Sequence, residues 1–194
     1  MQRAMFKQFS ALLFALTLAA CGRGEIRPGA TDITHVMPDL KFAMTRANDT
    51  YLVTANDYRG KIVLLYFGYT HCPDICPATL SNLAQVLQTL GPHANDVRVL
   101  FVSVDPARDT LASLKTYVSA FAPQIDGLRG SDNEIAKLAR RYRVLYSVTK
   151  TDHGIEVMHS DSVFLFDRDG HAREVMTNTS NTAAVAADVA SLLR

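Results

Sequence analysis

Two cysteines separated by three residues, Cys72 and Cys76, stand in the segment Tyr66-Phe-Gly-Tyr-Thr-His-Cys-Pro-Asp-Ile-Cys-Pro77. An apolar run, Ile62 to Phe67, ends just before them, and a helical pattern begins at Pro77. A strand-to-helix junction leaves side chains at a sheet edge. The start of a helix offers unpaired N–H groups and a positive dipole end, which favour thiolate over thiol. Two thiolates in that position can bind a soft metal ion or exchange disulfides. A structural staple is the plain alternative, but it would close a very small loop and constrain little of the unfolded chain.

The elements that must position these sulfurs are legible as patterns. Leu40 to Thr54 reads as a hairpin around Asn48-Asp49, and Ile62 to Phe67 as a strand buried on both faces. Pro77 to Leu90 places Leu80, Leu83, Leu87 and Leu90 on one helical face, with Gly91-Pro92 as the stop. Val97 to Val104 is a second buried strand. Thr110 to Ala122 is a second helix, with Asp109 as its cap, and Ser131-Asp-Asn-Glu134 is a capping box opening a third helix that runs to about Tyr142. Ser162 to Phe166 and Arg173 to Thr177 flank Asp167-Arg-Asp-Gly170 as a hairpin, and Thr182 to Leu193 closes as an Ala-rich helix. Alternating strands and helices predict an α/β domain: a mainly parallel central sheet, an added N-terminal hairpin and a C-terminal antiparallel hairpin. That order, with a cysteine pair after the first core strand, resembles the thioredoxin-like fold.

Arg3 and Lys7 precede an uncharged apolar stretch, Phe9 to Ala20, and Leu18-Ala-Ala-Cys21 resembles a lipobox. The organisation expected from this is a lipoprotein signal peptide over 1–20, a flexible tether over 21–36 and a globular domain over 37–194. Cys21 would be acylated, and the protein would be a membrane-anchored lipoprotein facing the periplasm of a bacterium. Beyond Cys21, the chain holds only Cys72 and Cys76 as thiols. With 48% hydrophobic and 20% charged residues and a net charge of +1, the composition fits one domain with an ample core. The near-zero charge gives no support for nucleic-acid binding.

Thioredoxin-like oxidoreductases place a proline opposite the cysteine pair, before the third core strand. This chain has no proline after Pro123, and the corresponding segment reads Val157-Met158-His159-Ser160. Two thiolates and one imidazole suit copper: thiolates favour Cu(I), and imidazole also serves Cu(II). The block Tyr66 to Pro77, followed by Ser103-Val-Asp-Pro-Ala-Arg-Asp-Thr110 and by His159 ahead of the last hairpin, resembles the Sco/SenC family. These are copper-binding proteins that assist assembly of the binuclear copper centre of cytochrome c oxidase. The resemblance covers about Met37 to Leu193. It implies Cys72, Cys76 and His159 as ligands for Cu(I) and Cu(II). The implied partners are the copper-bearing subunit of the oxidase, other copper chaperones, and the membrane through the lipid anchor. Met158 departs from the acidic residue that commonly precedes the family's histidine.

The neighbouring residues carry plainer readings. His71 is expected at the surface or behind the site, Asp74 in a turn, and Arg108 either in a salt bridge or on a docking surface. A thiol–disulfide reductase, with Cys72 attacking and Cys76 resolving, uses the same sulfurs and stands as the alternative function. A peroxidase would need threonine three residues before its attacking cysteine, where Tyr69 and Pro73 stand instead.

Overall fold

A computed structural model describes residues 29–152 and 154–194. The expected signal peptide, Cys21 and the first part of the expected tether lie outside the described residues. The strands are β1 (Ala30–Asp32), β2 (Ala43–Arg46), β3 (Leu52–Thr54), β4 (Ile62–Gly68), β5 (Val97–Ser103), β6 (Ile125–Arg129), β7 (Tyr146–Thr151), β8 (Gly154–His159), β9 (Val163–Phe166) and β10 (Ala172–Met176). The helices are α1 (Ile75–Leu90), α2 (Leu111–Ser119), α3 (Asp132–Arg141) and α4 (Thr182–Leu193).

One eight-stranded mixed sheet runs in the order β1-β10-β9-β4-β5-β6-β2-β3, while β7 and β8 form a separate hairpin. Its centre, β4, β5 and β6, is parallel, and every strand outside that centre pairs antiparallel. Every residue of β4 is buried, because helices cover one face and α3 with the N-terminal elements covers the other. Strand alternation divides β4 between two cores. Ile62, Leu64 and Tyr66 join Leu80, Leu83 and Val86 of α1, Leu114 of α2 and Val189 of α4. Val63, Leu65 and Phe67 join Phe42, Met44, Leu138 and Tyr142 on the opposite face. Tyr66 therefore lies on the same side of the sheet as Cys76.

The structure differs from the sequence reading in several places, the unread strand β6 among them. Residues 30–36, expected in the tether, include β1, which pairs with β10, and Ile33, which is buried. Three residues and one apolar anchor are too few to announce a strand. Helix α1 begins at Ile75, not Pro77; proline is tolerated there because first-turn N–H groups have no intrahelical acceptor anyway. Asp109 does not cap α2: Thr110 does, its side chain accepting from Ser113 N–H. The β7–β8 hairpin was not anticipated, although Val148, Ile155 and Val157 alternate with polar residues around Asp152. The capping box formed as expected, with Glu134 Oε2 accepting from Ser131 N–H at 2.7 Å.

The last residue of β4 has no side chain for a steric reason. A Cβ at Gly68 would fall 2.5 Å from Phe101 Cε2 and 2.9 Å from Cys76 Sγ, both far inside van der Waals contact. Gly68→Ala should lower stability by about 1–3 kcal/mol, since neither neighbour is a free-ended side chain. Urea unfolding monitored by far-UV circular dichroism checks this, with the midpoint falling and the slope unchanged.

Candidate metal centre

The cysteine loop is held from below by one carboxylate. Asp109 is fully buried and accepts three hydrogen bonds: from Thr70 N–H (3.1 Å), Thr70 Oγ1 (2.6 Å) and Ser103 Oγ (2.6 Å). These tie the residue two before Cys72 to the end of β5. Arg129 braces the same turn, donating from Nε to the Asp109 carbonyl (2.9 Å) and from Nη2 to the Pro106 carbonyl (2.8 Å). Val104 N–H donates to the Gly68 carbonyl at 2.8 Å, so the two strand ends stay joined to the loop's origin.

Above this brace the two sulfurs occupy different environments. Cys72 Sγ accepts the Cys76 N–H at 3.4 Å, taking the place of a side-chain cap that Asp74 does not supply. Burial opposes ionisation of Cys72, but hydrogen bonds from the Cys76 and Asp74 backbones outweigh it and hold this thiol below its ordinary value. Cys76 is fully buried, and that burial pushes its thiol up to about 12. The pair is therefore asymmetric. One sulfur is accessible and readily ionised; the other keeps its proton until a partner displaces it.

The third donor comes from the hairpin. His159 ends β8, and its Nε2 lies 3.2 Å from Cys76 Sγ. Its Nδ1 faces the Ser160 carbonyl at 2.9 Å. A carbonyl only accepts, so Nδ1 carries the proton and Nε2 presents a lone pair towards the sulfurs. Two tyrosine rings fix the imidazole edge-on, Tyr66 at 6.0 Å and Tyr69 at 5.8 Å between centroids. Arg108 holds the assembly from outside: it pairs with Asp105, lies 5.8 Å over the Tyr69 ring and donates to the Ile155 carbonyl of β8 at 3.4 Å. Of the two expectations for Arg108, the salt bridge is present, and it also links the loop to the hairpin.

The donor atoms of Cys72, Cys76 and His159 all lie within 4.8 Å of one another. Donors of one ion at bonds of about 2.0–2.3 Å lie at such separations, so a single metal ion can be shared after small adjustments. Two sulfurs with one imidazole suit a soft or borderline ion, copper above all. Asp167, Asp169 and His171 also converge, but they are exposed or half-buried, and Arg173 and Arg59 already stand against the two carboxylates. His71 is half exposed, with Nδ1 3.4 Å from Asp109 Oδ1, and is not part of the donor group. Asp74 occupies the cap position of α1, as its turn reading implied. Sequence reasoning missed Tyr66, Tyr69, Ser103 and the brace at Asp109. Only the alternation of β4 pointed to Tyr66.

A fold with a cysteine pair at the start of its first core helix and a histidine facing it across the sheet end defines a thioredoxin-like metal-site protein. The SCO1/SenC family pattern matches residues 35–194, and the chain belongs to that family. It is 48% identical over 118 residues to the mitochondrial SCO2 homolog of Bos taurus, covering 59% of this chain and 44% of that one. It is 36% identical over 145 residues to the mitochondrial SCO1 homolog of Homo sapiens, covering 73% and 48%. The chain thus spans about half the length of the curated relatives it matches. Among solved structures, copper-bound ScoI of Bradyrhizobium japonicum is 38% identical with a TM-score of 0.73, covering 79% of this chain and 98% of that one. BsSco, a member of the Sco family of cytochrome c oxidase assembly proteins with an identified disulfide switch, is 25% identical with a TM-score of 0.65, covering 81% and 94%.

These relatives correct one expectation. The reading of the chain as a membrane-anchored lipoprotein facing a bacterial periplasm is overturned by its match to mitochondrial proteins. Its basis was a basic start, an apolar stretch and Leu18-Ala-Ala-Cys21, and small residues after an apolar stretch are common to leader segments of several kinds. Among the described residues no helix is long and apolar enough to cross a membrane.

Removing the buried brace should loosen the site before the fold. Asp109→Ala leaves the Thr70 N–H and the Ser103 hydroxyl buried without their acceptor, a cost on the order of 3 kcal/mol. Urea titration should show that loss. In the wild-type apoprotein, iodoacetamide should modify Cys72 well before Cys76, and mass spectrometry of timed samples should show the gap narrowing in Asp109→Ala.

Proposed function

We propose that this protein is a copper-binding metallochaperone that assists assembly of the binuclear copper centre of cytochrome c oxidase. Its copper ligands are Cys72, Cys76 and His159, and its partners are the oxidase's copper-bearing subunit and other copper chaperones. The observation that carries this reading is the convergence of two sulfurs and an imidazole whose Nε2 faces them, in a part of the fold braced by buried hydrogen bonds. Family membership and the copper-bound Bradyrhizobium relative support it.

The residues divide the work. Cys72, half-buried at the loop and already inclined to ionise, makes first contact with incoming copper. Cys76 loses its proton on joining, which in the apoprotein faces His159 Nε2. His159 is aimed by the Ser160 carbonyl and by the two tyrosine rings. Copper is cargo and leaves by exchange onto a partner's ligands. A cleft of about 340 Å³, lined by Leu145, Met158 and His159 among others, opens beside the imidazole.

The asymmetry of the thiols favours a second reading, a thiol–disulfide reductase that keeps the oxidase's copper-site cysteines reduced. The Cys72 thiolate attacks a partner disulfide and forms a mixed disulfide, releasing one partner thiolate. Cys76 then gives up its proton and attacks Cys72 Sγ, releasing the second partner thiol and leaving the Cys72–Cys76 disulfide. The disulfide switch identified in BsSco supports this chemistry.

His159 separates the two readings. Cys72→Ala or Cys76→Ala should abolish tight binding of both copper ions in competition titrations. His159→Ala should weaken Cu(II) by at least about 100-fold, the upper end of what loss of a supporting group costs. Cu(I) should be weakened less, because two thiolates alone hold it linearly. His159→Ala should leave reduction of a model disulfide nearly intact. Normal oxidase assembly in cells carrying only His159→Ala would put the reductase first.

A further inference from the structure

Tyr66 carries a buried polar group that the cysteine motif does not explain. Its side chain is fully buried on β4, on the face covered by α1, and its hydroxyl makes no well-formed hydrogen bond. The polar groups acting on that hydroxyl are the Cys76 thiol and Thr79, one helical turn further along α1. A phenol is an O–H donor at neutral pH. Tyr69 stands in the same relation to Cys72. Each sulfur thus has its own tyrosine, and both rings meet His159.

A buried O–H without a good acceptor destabilises the protein that contains it. Phenylalanine would fill the same space in the β4 core without that penalty. A neutral thiol sulfur is a weak acceptor, whereas a thiolate is a strong one. The hydroxyl therefore finds its acceptor only when Cys76 has lost its proton, which metal ligation requires.

We propose that Tyr66 is a positioning residue whose hydroxyl donates to Cys76 Sγ when copper is held there, drawing charge from the sulfur and favouring Cu(I) over Cu(II). This rests on the reading of Cys76 as a copper ligand. Hydrogen bonding around a ligating cysteine sulfur is a known lever on copper potential, because a less electron-rich sulfur stabilises the oxidised ion less. Tyr117 supplies an internal comparison. Its hydroxyl is also buried without a partner, but it acts on Cys76 only through charge, with no hydrogen bond between them.

The test uses the wild-type protein, Tyr66→Phe and Tyr117→Phe, each loaded with Cu(II) alone and with Cu(I) alone. In Tyr66→Phe the sulfur-to-copper charge-transfer band should move to lower energy. The preference for Cu(I) should fall about tenfold, which is about 59 mV for a one-electron couple. The copper-free variant should melt at the same temperature as wild type or higher, since an unpartnered hydroxyl has gone. Tyr117→Phe should leave band and potential in place. An unmoved band and potential in Tyr66→Phe, with a normal band in the wild type, would overturn the role of Tyr66 alone. Equal shifts in both variants would also overturn it, since they would reflect burial and not donation. Absence of any thiolate band in the wild type would overturn the copper reading beneath it.

Discussion

A fully buried carboxylate is costly unless its oxygens are occupied, and here that cost is what fixes the site. Asp109 is occupied by Thr70 from the cysteine loop and by Ser103 from the end of β5. The loop can move only by taking away acceptor bonds that no water replaces. The three donors come from two segments far apart in sequence, and nothing covalent joins them. The Asp109 brace fixes the first segment, and the Arg108 contacts with Tyr69 and Ile155 bring the second against it. The site is thereby held in shape by contacts of the chain itself.

The same economy of burial separates the two cysteines. A helix start stabilises a thiolate, but only for the sulfur that reaches the N–H groups. Cys72 precedes the helix and reaches one; Cys76 lies within the first turn and is closed in by Gly68, Phe101 and Tyr66. Two identical residues, four apart, thus acquire opposite tendencies from position alone. Such a pair serves capture of a soft ion and disulfide exchange equally well. The imidazole, which only the first of these needs, distinguishes the functions.

Membership of the SCO1/SenC family accounts for the fold and for the cysteine block. It does not account for everything at the mouth of the site. Met158 is 72% exposed and Leu145 79%, both beside His159, so the cleft next to the imidazole is more apolar than an acidic residue at position 158 would make it. That changes the surface a partner meets while leaving the donor atoms where they are.

Short-range patterns carry their own signal along the chain. The apolar run of β4, the stripe of α1, the capping box of α3 and the spacing of Cys72 and Cys76 each depend on neighbours within a few residues, and all were legible. His159 could be assigned only through resemblance, and its tautomer not at all, because both depend on a hairpin 83 residues from Cys76 folding back onto it. The strands β1 and β6 were hidden because short strands draw their stability from pairing, not from local propensity. Asp109 showed the limit most clearly: next to a helix start, an aspartate reads as a cap, yet burial against Thr70 and Ser103 gave it a different task. Tertiary structure decided these matters because the free energy of a buried polar group is set by what surrounds it in space, and sequence proximity does not supply those surroundings.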